Sequence, residues 1–158
     1  MTAATTYWPA PEVAATAVPL ISDFHPHLAD APIVYVFRLP TLRSRDKIVL
    51  GRALRVLGLN AFLAALAAGD AAQNLNEAEQ QQYGFFVMEV AFEEWQIAPE
   101  SSRVGLVDHE LCHFDIHHET GELKIRAHDV EEFVAVAHRH GARYPETRAL
   151  VEVCSVSR

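Results

Sequence analysis

Residues 107–118, VDHELCHFDIHH, hold four of the nine histidines of a 158-residue chain. Inside that stretch His109-Glu110-Leu111-Cys112-His113 has the spacing H-E-x-x-H. On a helix, residues four apart stand one turn apart on the same face, with Cβ atoms about 5–6 Å from each other, so two imidazoles at that spacing can hold one metal ion. The intervening glutamate projects to the side of the pair. It can reach a water on the metal without being a ligand, which is the general-base position of a metallopeptidase.

The face occupied by the two histidines separates ligands from core residues. At about 100° per residue, Val104, Val107, Leu111 and Phe114 form one apolar stripe, and His109 and His113 fall roughly opposite its centre. Cys112 lies about 100° from its neighbours and reads as a small buried thiol turned away from the pair. Asp108 or Asp129 can orient a ligand imidazole through its second nitrogen.

A third ligand has to return from elsewhere in the chain. FDIHHETGELKIR reads as a hairpin around Glu119-Thr120-Gly121, with Gly121 supplying the positive φ of a tight turn. Folding about Thr120 places His128 beside Cys112 and His113. Glu131 and Glu132 compete for the role, although Glu132 completes a capping box with Asp129 and Glu131 sits in a first helical turn, where acids favour the dipole. His128 is therefore preferred, with the two glutamates kept open.

The remaining histidines have plainer readings. His117 and His118 fall on opposite faces of a hairpin arm, as an exposed cross-strand pair. His138 and His140 sit at a helix C-terminus, and His25 and His27 flank Pro26 in a loop.

The elements that must position this set follow from pattern. Pro9, Pro11 and Pro19 break up residues 1–20, which read as a loosely ordered arm around a short helix near Glu12 to Ala17. Ile33 to Arg38 reads as a strand between Pro32 and Pro40. KIVLGRALRVLG is a second strand with Gly51 as a bulge, or a short helix. LNAFLAALAAG and the glutamine-rich stretch after it are ambiguous. Phe85 to Gln96 is the strongest strand pattern, an edge along which a substrate peptide can add. A helix starts near Pro99 and carries the histidine motif. HDVEEFVAVAHRHG is a final helix, capped by Asp129 and stopped by Gly141. The fold class is α+β: one domain with a small mixed or antiparallel sheet, the motif helix, a β-hairpin and a C-terminal helix.

Composition narrows the partners. A net charge of −8, with 13 Lys+Arg and no basic run, gives the phosphate term of nucleic-acid binding no source. No signal peptide or spanning segment is visible, and two cysteines do not make a disulfide framework, so a reducing cytoplasm is expected. Oligomeric state is not readable from this sequence.

VGLVDHELCHF and ELKIRAHDVEEFVAVAHRHG, preceded by IVYVFR and FFVMEVAFEEW, resemble the phage metallopeptidases of bacteriophage and prophage genomes, over about residues 24–141. The order of a motif helix, a hairpin and a histidine just ahead of a helix is also similar to SprT-like zinc metallopeptidases, which supports His128 over Glu131 and Glu132. The resemblance implies a minimal zincin spanning residues 21–158. In it Zn²⁺ is held by His109, His113 and His128, Glu110 is the general base and a peptide or protein is the substrate; a phage-encoded chain would act in the bacterial host cytoplasm. Tyr144 is a candidate oxyanion donor. The competing readings are a non-catalytic, zinc-stabilised interaction protein of phage or prophage origin, and a hydrolase acting on something other than a peptide.

Overall fold

The computed structural model describes residues 4–57, 84–129, 139–141 and 145–156. It divides into two compact units, Met1–Arg126 and Ala127–Arg158. The fold is α+β, as the sequence predicts.

In the first unit, β1 (Thr6–Pro9), β2 (Ile33–Leu39), β5 (Gly51–Val56) and β6 (Phe85–Ala91) form one sheet in the order β1-β2-β6-β5. β2 and β6 run parallel, and the two outer pairings are antiparallel. β3 (Leu42–Ser44) and β4 (Lys47–Val49) make a separate hairpin whose turn residues Arg45 and Asp46 both have positive φ, as a two-residue hairpin turn of this hand requires.

Phe86, Met88 and Val90 of β6 are fully buried on the face that meets the helices, and Phe85, Glu89 and Ala91 on its other face are buried as well. Two expectations about this segment are corrected. The strand stops at Ala91, and Phe92–Ile97 is a short helix, α2, whose Trp95 turns back into the core. β6 also lies between β2 and β5, so its ladder groups are used on both sides and no peptide can add along it.

The N-terminal segment is likewise integrated rather than a loose arm. β1 pairs with β2, and Pro11–Phe24 forms a 14-residue helix, α1. Pro11 occupies its first turn, where a missing N–H costs nothing, and Pro19 lies on the exposed side. Ala10, Val13, Ala17 and Leu20 enter the core. Apolar spacing of three and four residues over a continuous helix outweighs the interruption that three prolines suggest.

α3 (Glu100–Cys112) packs on α1 and β5 through Val107 and Leu111, both fully buried. Val104, expected in the same stripe, is 38% exposed, so the buried stripe begins one turn later. β7 (Phe114–Ile116) and β8 (Leu123–Ile125) form the anticipated hairpin, with Gly121 at φ +70°. Phe114 stacks on Phe86 at 4.4 Å between centroids, which fixes the chain where it leaves α3.

In the second unit Gly141 has φ +67°, as a helix-stopping position requires, and α4 (Pro145–Val156) follows, an element the sequence reading does not include. The ambiguous stretch in residues 58–83, most of the expected final helix including Glu131 and Glu132, and Tyr144 lie outside the described residues. No helix among the described residues is long and apolar enough to cross a membrane.

Candidate metal centre

Three residues at the end of α3 and its C-cap bear on chemistry. His109 is exposed and His113 half-buried at the helix C-cap, with ring centroids 5.1 Å apart and planes at 77°. Their ligand nitrogens lie within 4.8 Å of each other. Glu110, by contrast, is only 4% exposed and turns toward β5. The helix therefore presents an imidazole pair outward and sinks a carboxylate beside it.

The His113 ring is oriented by backbone. Its Nδ1 lies 2.7 Å from the carbonyl oxygen of Arg126, which can only accept, so Nδ1 carries the proton and Nε2 is left with its lone pair. This is the tautomer a metal ligand needs, with its ring held by an outer hydrogen bond. An aspartate was expected in this role. Asp108 instead bonds His25 at 2.7 Å.

The hairpin register explains how Arg126 reaches His113. Phe114 pairs with Ile125, Asp115 with Lys124 and Ile116 with Leu123, and the Arg126 N–H donates to the His113 carbonyl at 2.8 Å. The turn is thus centred between Glu119 and Thr120, half a residue from the expected centre at Thr120. His128 belongs to the second unit and is exposed there. It follows Arg126 by two residues, a span of at most about 7 Å of chain.

Glu110 is held where it is by β5. Burial pushes its carboxyl up to about 6, against the opposing pull of His113 and of a hydrogen bond from the Ala53 backbone N–H. Gly51 leaves the space the carboxylate needs: a Cβ there would stand 2.5 Å from Glu110 Oε1 and 2.9 Å from its Cγ. Sequence reasoning missed this residue, reading Gly51 as a bulge. The signal was present, since an isolated glycine in a strand also marks a close approach by another group.

Other histidines are placed differently from their sequence readings. His117 and His118 do not point to opposite faces; they lie beyond the end of β7 with rings stacked at 5.2 Å. His25 is no solvated loop residue: it caps α1 and is 7% exposed. His27 Nε2 lies 3.3 Å from the Phe114 carbonyl. Cys112 is exposed rather than buried.

The donor set fits a divalent transition metal: two imidazoles at helical spacing, at least one with its tautomer fixed, beside a sunken carboxylate. A family model described as "Putative phage metallopeptidase" matches residues 5–154. The chain belongs to this family. Phage metallopeptidases, as the description has it, imply a metal cofactor and protein or peptide substrates. No curated protein and no solved structure shows significant similarity to this chain.

Proposed function

We propose that this chain hydrolyses peptide bonds as a zinc metallopeptidase, with His109, His113 and His128 holding Zn²⁺ and Glu110 acting as general base. The observation that carries the reading is the Glu110 carboxylate, buried beside an outward-facing histidine pair whose His113 tautomer is set for ligation. His128 is favoured as third ligand because Arg126, two residues before it, is tied to His113 by two hydrogen bonds.

A bound Zn²⁺ supplies Lewis acidity, polarising a carbonyl and bringing the pKa of a water to about 7. The chain's own residues do the rest. Glu110, with a carboxyl raised to about 6, is largely ionised at neutral pH yet close enough to neutrality to exchange a proton in both directions. It takes the proton of the attacking water on a carboxylate oxygen and passes it to the leaving amine nitrogen. Gly51 and the Ala53 N–H hold that carboxylate in place while this happens.

A purely structural zinc site gives Glu110 no task, and such sites usually have four protein ligands. Glu110→Gln distinguishes the two. The variant should bind zinc as the wild type does while peptide-library cleavage falls by roughly 10²–10⁴-fold, the usual worth of a general base. Unchanged cleavage in this variant sinks the mechanism.

A further inference from the structure

α3 carries a second pair of potential ligands at the same spacing, rotated by one residue from the histidine pair. Asp108 and Cys112 are four apart, and so share a helix face rotated by about 100° from the face of His109 and His113. His25, from the C-cap of α1, completes the group. Ligand atoms of His25, Asp108 and Cys112 all lie within 4.8 Å of one another. His25 Nε2 is already 2.7 Å from Asp108 Oδ1, with the imidazole 8% and the carboxylate 43% exposed.

We propose that His25, Asp108 and Cys112 form a second divalent-cation site, selective for a thiolate-binding cation of the Zn²⁺ class and separate from the site on His109 and His113. The donor types argue for that class. Imidazole nitrogen, carboxylate oxygen and thiolate sulfur form a mixed set suited to a borderline-soft ion, whereas Mg²⁺ and Ca²⁺ take oxygen ligands. Donors around a tetrahedral ion with bonds of about 2.0–2.3 Å stand roughly 3.5 Å apart, so the His25–Asp108 pair opens from 2.7 Å and the Cys112 sulfur draws in, each by about 1 Å. Binding breaks the S–H bond of Cys112 and releases its proton to the buffer, and it replaces the His25–Asp108 hydrogen bond, the imidazole proton passing from Nε2 to Nδ1 so that Nε2 presents its lone pair, with no redox change.

The placement gives the site a use. His25 ends α1, and Asp108 and Cys112 lie on the helix that bears the catalytic motif, so a cation here ties the two helices at the level of Glu110. Exposure of Cys112 leaves the ion an entry path. Of the neighbouring titratable groups, His27 lies with its ring 6.1 Å from His25 but directs Nε2 to the Phe114 carbonyl, so it is not counted as a ligand.

The proposal does not depend on the catalytic reading, and its test reads metal binding rather than activity. The full-length, metal-free chain, with Cys154→Ser so that Cys112 is its one remaining thiol, is titrated with Co²⁺ and followed by the sulfur-to-cobalt charge-transfer absorption in the near ultraviolet. Two Co²⁺ per chain are expected, with the charge-transfer band. Adding Cys112→Ser should lower the stoichiometry to one and remove the band. His109→Ala/His113→Ala should also lower it to one but keep the band, and Asp108→Asn should weaken the band-forming site at least tenfold. Circular dichroism checks that each variant is folded. A folded His109→Ala/His113→Ala protein without the band, or a Cys154→Ser protein that never develops it, overturns the proposal.

Discussion

His113 and Arg126 exchange two hydrogen bonds: the His113 ring donates from Nδ1 to the Arg126 carbonyl at 2.7 Å, and the Arg126 N–H donates to the His113 carbonyl at 2.8 Å. One contact closes the mouth of the β7-β8 hairpin, and the other chooses the imidazole tautomer. The hairpin therefore positions the His113 ring, and the proposed third ligand, His128, follows Arg126 by two residues in the chain.

That placement makes the third ligand testable. His128→Ala should weaken zinc binding by well over the roughly 10–100-fold that loss of an outer hydrogen-bond partner costs. Glu131→Ala and Glu132→Ala should leave affinity within a few-fold of wild type. Competition against a chromophoric chelator measures all three, and a glutamate variant that loses zinc while His128→Ala keeps it reverses the assignment.

Gly51 should prove intolerant of the smallest side chain. The added methyl of Gly51→Ala meets three side-chain atoms of Glu110 at 2.5–2.9 Å, and the carboxylate must move away from the Ala53 N–H. A 1 Å misplacement of a reacting group can cost about 100-fold in rate. The expected result is a fall in kcat of that order, with zinc content and KM little changed. A drop in zinc content equal to the drop in rate would show that the substitution disturbs the ligands instead.

What could be read from the sequence was what rests on local periodicity. Helical spacing of His109 and His113, the existence of strand β6, the start of α3 just after Pro99 and the turn glycine at 121 are all short-range, and each was legible. The misses have a common cause in tertiary context. Three prolines limited the expected helix to about Glu12 to Ala17, yet burial of Val13, Ala17 and Leu20 carries α1 on to Phe24. Strand order was not legible either, so β6 was mistaken for an edge. The pairing of His25 with Asp108 joins residues 83 apart, and nothing in either local pattern announces it.

Tyr35 gives the fold an alkaline limit. Burial pushes its phenol up to about 12 from 10, which means that the folded chain holds the proton after the unfolded chain has released it. The stabilisation is fully present below about pH 10 and is lost as pH rises from 10 toward 12, by roughly 2–3 kcal/mol at one pKa unit per 1.36 kcal/mol. Urea midpoints of wild type should fall between pH 9.5 and 11.5 more steeply than those of Tyr35→Phe. Parallel slopes would mean that the phenol ionises equally well in both states.

Phe114 links core packing to the candidate metal centre. It follows His113 at once, is 1% exposed, and stacks on Phe86 at 4.4 Å and 21°. Truncating such a ring leaves a cavity and costs about 3–5 kcal/mol, so Phe114→Ala should lower the urea midpoint by that equivalent. The loss should also reach the ligand, because the stacked ring fixes the backbone that sets His113 against Arg126. Phe114→Leu keeps most of the volume and should recover the bulk of both stability and zinc affinity. If Phe114→Ala loses stability but binds zinc as tightly as wild type, then α3 and Arg126 hold His113 without help from the core.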